Sequence, residues 1–344
     1  MYRRIFCKVL LVVIVAIAVL FLSGILSAQG RSGEDRVKDV QEKHTARLMA
    51  IKGVVGTAVG HDQEDRPDIK VFVEGPGVAG IPKKLDDVSV EVVVTGKIYA
   101  LPKPEGKPGG GTKIDPTAYF TRPVPIGVST GHPNITAGTI GCRVIKGTQV
   151  YALSNNHVYA NENRAKLPEG SNPGDNVLQP GPYDGGGKVA DRDDVIGTLF
   201  AFVPIIFDGK TLNTIDAAIA LSNTGQLGNA TPSNGYGKPK STTATASINM
   251  QVQKYGRTTG LTKGKIYATN ATVDIWYGTG VARFVNQLII TPGTFSAGGD
   301  SGSLIVTQRS KNPVGLLFAG SSSMTVANPI DSVLSAFGVT VDGQ

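Results

Sequence analysis

The stretch Gly298-Gly299-Asp300-Ser301-Gly302-Ser303 sets a serine between glycines, directly after an aspartate. Glycine accepts φ > 0 and lets a second backbone come close, so such a turn exposes a hydroxyl. It also frees the amides of Gly299 and Ser301 to point at one spot, where an oxyanion could be held. Gly, Asp and Ser dominate ordinary surface turns as well, so the stretch gains meaning only with partners. Two upstream segments supply them. Val150–Val158 reads as an apolar strand ending in a small polar turn that carries His157. Asn213–Leu221 sets Asp216 before a small apolar run. A serine nucleophile needs an adjacent general base, and the base needs a third group to fix its tautomer. His132 is the alternative histidine, but it sits in the turn Thr130-Gly131-His132-Pro133-Asn134 with no apolar strand before it.

Histidine, aspartate and serine in this order, each in this context, resemble the trypsin-like (chymotrypsin-fold) serine peptidases. The resemblance covers most of residues 125–344 and has the bacterial style. It implies two six-stranded antiparallel β-barrels and a serine endopeptidase working through an acyl-enzyme. Ser301 would be the nucleophile, His157 the base and Asp216 its orienting carboxylate, with Gly299 and Ser301 forming the oxyanion hole. The segment Gly256-Arg257-Thr258-Thr259-Gly260 resembles one in the streptogrisins and α-lytic protease. There an internal arginine pairs with the aspartate before the serine, so the expectation is an ion pair between Arg257 and Asp300. A guanidinium suits a buried bidentate pair better than an ammonium does.

The resemblance also points to a specificity pocket. The residue six before the serine is Phe295, and the lining strand would be Leu316–Ser321, with Phe318 and Gly320 at the pocket. No acid lies near Phe295 except Asp300, so Lys/Arg specificity is not supported and an apolar or small side chain is the expectation. Phe318 departs from the family, which has there a serine contacting the aspartate. That departure keeps a second reading open: a peptidase-fold protein without turnover that binds peptides or proteins by strand addition. A third, an envelope protein whose N-terminal part does the work, has no ligand-like cluster to support it. The expected partner is a polypeptide substrate. No cofactor is required: the chain has no Walker-type phosphate loop, no His-x-x-x-His pair and no CxxC motif.

The elements that must position these residues are mostly strands. Hydrophobic residues make up 40% of the 344 and charged ones 18%, enough apolar material for real cores. The 44 glycines favour a loop-rich β protein. Short apolar runs over residues 138–146, 149–154, 195–203, 216–221, 251–255, 264–273, 287–291, 303–307, 314–318 and 326–329 are separated by Gly, Pro, Asn and Thr. Residues 331–338 have helical spacing. Upstream, residues 34–51 have helical periodicity, and residues 53–60, 68–73 and 88–95 read as strands. The expected layout is therefore a leading segment at 1–28, a small α+β domain at 29–100, a Pro/Gly linker at 101–114 and a mainly β peptidase-like domain at 115–344. By position, the small domain resembles a prodomain or regulatory module that contacts the peptidase-like part. His44 and His61 read as surface or packing histidines.

The formal charge of +7 is not a nucleic-acid signature. Arg3, Arg4 and Lys8 precede an uninterrupted apolar run, Val9–Leu22, and small residues follow up to Ala28. That is the layout of a secretory signal, or of a membrane anchor if it stays uncleaved. Either outcome exports the folded part. The remaining charge carries no basic cluster. Of the two cysteines, Cys7 lies in the leading segment, so Cys142 has no intramolecular partner after cleavage and reads as a buried small hydrophobe.

Overall fold

The computed structural model describes residues 33–100, 114–187 and 193–344. The leading segment, and all but the last residue of the 101–114 linker, lie outside the described residues. No helix among those described is long and apolar enough to cross a membrane.

The chain is mainly β. Its first helix, over residues 33–49, buries Val37, Val40, Leu48 and Met49 against Val54, Val59, Ile69 and Val71. These positions fall on one face of a 3.6-residue repeat. The strands Val54–His61, Pro67–Val73, Lys84–Leu85 and Val88–Val94 follow. Val54–His61 does not end this sheet. Its other edge pairs antiparallel with Gly260–Trp276, with Gly56 opposite Val273 and Val59 opposite Thr269. One core holds Val55, Ala58, Phe72 and Ile98 together with Ile275, Phe284, Phe318 and Val326. The N-terminal unit is thus built into the sheet that carries the serine.

Two sheets carry the candidate site. The first has six strands, in the order Asn176–Leu178, Val195–Phe202, Ala218–Ser222, Gln149–Ser154, Cys142–Lys146, Thr340–Val341. Its ladder is open, with the first and last of these as edges. Cys142 lies in the core beneath it, where burial pushes its thiol pKa up. In the second sheet the ladders run from Gln251–Gly256 to Gly260–Trp276, Val281–Thr291, Thr325–Pro329, Pro313–Gly320 and Leu304–Thr307. Leu304–Thr307 then pairs back onto Gln251–Gly256. The helix Ile330–Phe337 follows and ends at Gly338 in the left-handed region, φ 62°.

Most strands lie on the apolar runs marked in the sequence. The run expected over 264–273 is longer, Gly260–Trp276, because both ends find partners: Gln251–Gly256 at one and Val54–His61 at the other. Ile98–Ala100, Asn176–Leu178 and Asp208–Asn213 were not expected as strands. Each is short, and each is a strand only through a non-local neighbour.

Candidate active site

His157 lies on a single helical turn, Asn156–Tyr159, directly after the strand Gln149–Ser154. The apolar strand anchors in the core and the polar turn lifts the imidazole to its edge. Asp216 precedes the neighbouring strand Ala218–Ser222, which pairs with Gln149–Ser154. Pairing of the two strands brings the side chains together. His157 Nδ1 lies 2.6 Å from Asp216 Oδ2, and the His157 amide donates to Asp216 Oδ1 at 3.2 Å. With Nδ1–H donated to the carboxylate, Nε2 is the acceptor nitrogen of a neutral imidazole. That Nε2 is buried and has no hydrogen-bond partner among the described residues.

Asp216 is 0% exposed, so its charge depends on fixed donors. Two come from His157. The third is Tyr277, whose hydroxyl donates to Asp216 Oδ2 at 2.9 Å. Its ring stands edge-on to the imidazole, with centroids 5.9 Å apart. Burial, with Asp216 beside it, holds the Tyr277 phenol well above its ordinary pKa, so it stays a donor. Asn328 and Asn155 hold the Asp216 backbone: its amide donates to Asn328 Oδ1 at 2.6 Å and its carbonyl accepts from Asn155 Nδ2 at 2.7 Å. Tyr277 escaped the sequence reading. It lies just beyond a strand, 61 residues from Asp216, and carries no local signal. It supplies the contact that Phe318 does not. A hydrogen bond to a charged group is worth about 1.5–3 kcal/mol. Tyr277→Phe is therefore expected to lower kcat roughly tenfold or more with KM unchanged. The pH profile of kcat checks it, since a general folding defect would lower the active fraction, and so kcat at unchanged KM, without affecting that imidazole-dependent profile.

Ser301 is clamped to the histidine-bearing sheet through Thr139. The Thr139 amide donates to the Ser301 carbonyl at 2.7 Å, and its hydroxyl to the Gly299 carbonyl at 2.9 Å. Ser154, three residues before His157, donates its hydroxyl to the Thr139 carbonyl at 2.8 Å. Thr139 falls within the run 138–146 and carries no sequence signal of this role. Gly302 closes the contact: its φ is +94°, and a Cβ there would lie 2.2 Å from Ser154 Oγ and 2.3 Å from the Thr139 carbonyl oxygen. Gly302→Ala is expected to cost about 2–5 kcal/mol from backbone strain and overpacking together. Urea unfolding checks it. The Ser301 hydroxyl reaches the Phe318 carbonyl at 3.4 Å. Among the described residues no acceptor takes the Gly299 amide.

The expected pair between Arg257 and Asp300 does not form. Asp300 pairs with Lys254 at 3.1 Å, both side chains 0% exposed. Its oxygens also accept from the amides of Thr258, Thr259 and Ala297 and from the Thr259 hydroxyl. Gly256 makes room for this carboxylate, since a Cβ there would lie 2.5 Å from Asp300 Oδ1. Arg257 turns away to Asp184, with Nε at 2.9 Å and Nη2 at 2.5 Å from its two oxygens. The reason is positional. Lys254 sits in the strand, while Arg257 lies three residues on in the following turn, where its side chain leaves in another direction. The Arg257 backbone still supports the site, because its amide donates to Thr139 Oγ1 at 3.0 Å.

The pocket expectation is corrected too. Phe295 is 0% exposed and packs with Val252, Ile266, Leu288 and Ile290. Phe318 is equally buried, its ring 4.9 Å from that of Phe284. Both rings are core: Phe318 on the strand Pro313–Gly320 and Phe295 on the 3-10 turn Gly293–Phe295 each point where apolar area is covered. Gly320 lies on the strand edge opposite Tyr99. A cavity of about 450 Å³ instead opens at His157, lined in part by Ile135, Thr136, Val158, Glu162 and Arg164. His132 is a packing residue: Nε2 meets Asp175 at 3.0 Å and Nδ1 accepts the Asn134 amide. His44 and His61 meet Asp86, and Glu34 with Asp65, respectively. No group of three or more His, Cys, Asp or Glu among the described residues could hold a metal ion.

Residues 197–328 match the family model of the Nal1 C-terminal domain. That span holds Asp216, Arg257, Asp300 and Ser301 and leaves out His157. Among curated proteins nothing matches the chain. Several solved structures are similar to it. A glutamic-acid-specific serine protease is 23% identical, over 63% of this chain and 100% of that one, at a TM-score of 0.44. Protease A of Thermobifida fusca is 20% identical, over 64% and 99%, at 0.45. A Cellulomonas bogoriensis chymotrypsin is 17% identical, over 64% and 99%, at 0.42. Likenesses this distant say nothing of what this chain does.

Proposed function

We propose that the chain is an exported serine endopeptidase. The observation that carries this reading is the buried His157–Asp216 hydrogen bond at 2.6 Å, which leaves Nε2 as an unpartnered acceptor. Ser301 Oγ attacks the scissile carbonyl and His157 Nε2 takes its proton. The amides of Gly299 and Ser301 hold the oxyanion. Collapse of the tetrahedral intermediate expels the amine, which leaves with the proton from His157. Water then repeats the sequence on the acyl-enzyme. Asp216 keeps the tautomer and stabilises the imidazolium. Asp300, through Lys254 and the amides around it, holds the Gly299–Ser301 turn in shape.

The layout follows. The two sheets are read as the two barrels of a chymotrypsin-like fold, with the site between them. Residues 1–28 export the chain, as a cleaved signal or a retained anchor. The substrate is a polypeptide, and no cofactor takes part.

Fluorophosphonate labelling of the full chain tests the reading. Wild type is expected to label, and Ser301→Ala and His157→Ala to lose the label while keeping their circular dichroism. Absence of label on folded wild type would favour instead a peptide-binding protein of the same architecture.

A further inference from the structure

The strand Ile98–Ala100 lies beside the Ser301 turn and is held on both sides. Ile98 and Tyr99 pair in parallel with Ile275 and Trp276. Tyr99 and Ala100 pair antiparallel with Gly320 and Ala319. Ile98 and Ala100 are buried, and only Tyr99 faces outward. The register has a direction. Tyr99 stands opposite Gly320 and Ala100 opposite Ala319, so the segment runs toward Phe318. The Phe318 carbonyl oxygen lies 3.4 Å from Ser301 Oγ. An extended polypeptide laid along Ala319–Gly320 in the same sense would carry its next residue to that hydroxyl. Sheet edges take peptides through backbone hydrogen bonds, largely regardless of side chain. Here Ile98–Ala100 already uses that edge, and one edge holds one strand.

We propose that Ile98–Ala100 is a built-in competitor for the peptide-binding edge Ala319–Gly320, restraining polypeptide hydrolysis until the strand leaves. The inference rests on the reading of Ser301 as a nucleophile. A tethered competitor acts at an effective concentration in the millimolar range for a short connection. An outside polypeptide must exceed that concentration, so the restraint raises KM and leaves kcat unchanged. The strand is three residues long, so its displacement breaks the pairings with Ile275–Trp276 and Ala319–Gly320 and uncovers Ile98 and Ala100.

Two full-length variants test it, with fluorescein-labelled casein as substrate. Ile98→Ala thins the docking of the strand and is expected to raise kcat/KM at least tenfold over wild type, through KM. The pair Ala100→Cys and Ala319→Cys locks the strand in place. Residues opposed in an antiparallel ladder have Cα atoms about 4.5–5.5 Å apart, within reach of a disulfide. Cys142 is the free cysteine among the described residues and is buried, away from exchange. The oxidised pair is expected to hydrolyse casein at least tenfold more slowly than the same protein reduced. Should Ile98→Ala fail to fold, the redox comparison still decides. Equal turnover in both redox forms, with Ser301 labelled by fluorophosphonate in the reduced form, overturns the inference and leaves the nucleophile standing. No labelling of any folded form overturns the reading of Ser301, and the inference with it.

Discussion

Ser301→Ala and His157→Ala are each expected to lower kcat for peptide hydrolysis by about four to six orders of magnitude, and the double variant by no more than either alone. The two groups act on one proton. Without the hydroxyl there is nothing to deprotonate, and without Nε2 the hydroxyl stays a poor nucleophile. What remains is the oxyanion site and binding, which the second substitution leaves untouched. Asp216→Asn is expected to cost about four orders of magnitude, for a different reason. The amide can present N–H to Nδ1 where the carboxylate accepts it, which favours the wrong tautomer. It also disturbs the Tyr277 hydroxyl, which shares Oδ2 at 2.9 Å. Steady-state hydrolysis of a peptide amide substrate, with circular dichroism as a control for folding, measures all three. Additive losses in the double variant would mean that Ser301 and His157 do not act as a unit.

Lys254→Met is expected to destabilise the fold by about 3–5 kcal/mol. The pair with Asp300 is wholly buried, so removing the ammonium leaves a carboxylate with no compensating charge. The Thr258, Thr259 and Ala297 amides remain and place the loss nearer the lower end. Lys254 also contacts the Thr259 hydroxyl and the Gly260 carbonyl, so the turn before Gly260–Trp276 loosens with it. The double variant Lys254→Met, Asp300→Asn should recover part of the loss, and urea unfolding of the four proteins gives the coupling. The pair has a pH signature. Burial lowers the Lys254 pKa from its ordinary 10.5, against the pull of Asp300. Between the lowered value and 10.5 the unfolded chain binds more protons at this group, so its contribution to stability rises with pH across that window. Lys254→Met should remove that rise. Arg257→Met should leave Asp300 held and instead take the guanidinium from Asp184, which keeps the Ser129 hydroxyl at 2.6 Å. Loss of the Asp300 clamp in that variant would show that the arginine, not the lysine, supports the turn.

Much of the fold was legible because its signals are local. An apolar run ending in a polar turn marked Gln149–Ser154, and helical spacing marked the helices at 33–49 and Ile330–Phe337 to within a few residues. Ile98–Ala100 was not legible. Three residues before a Pro/Gly-rich stretch carry no period, and they form a strand only because Ile275–Trp276 and Ala319–Gly320 leave a gap of that width. The same limit applied at Phe295 and Phe318. An apolar side chain looks alike in a pocket wall and in a core, and the facing layer decides which it is.

The sequence by itself determined which residues could do chemistry: a hydroxyl in a glycine turn, an imidazole after an apolar strand and a carboxylate before a small apolar run. Each depends on neighbours one to four positions away, where turn and strand geometry is set by residue type. The tertiary structure alone decided who supports them. Tyr277 rather than the strand at Phe318 donates to Asp216, and Lys254 rather than Arg257 neutralises Asp300. Thr139 joins the two sheets, and the chain's own Ile98–Ala100 lies on the edge beside Ser301. Those partners lie 46 (300 − 254) to more than 200 residues apart, and only packing fixes which faces meet.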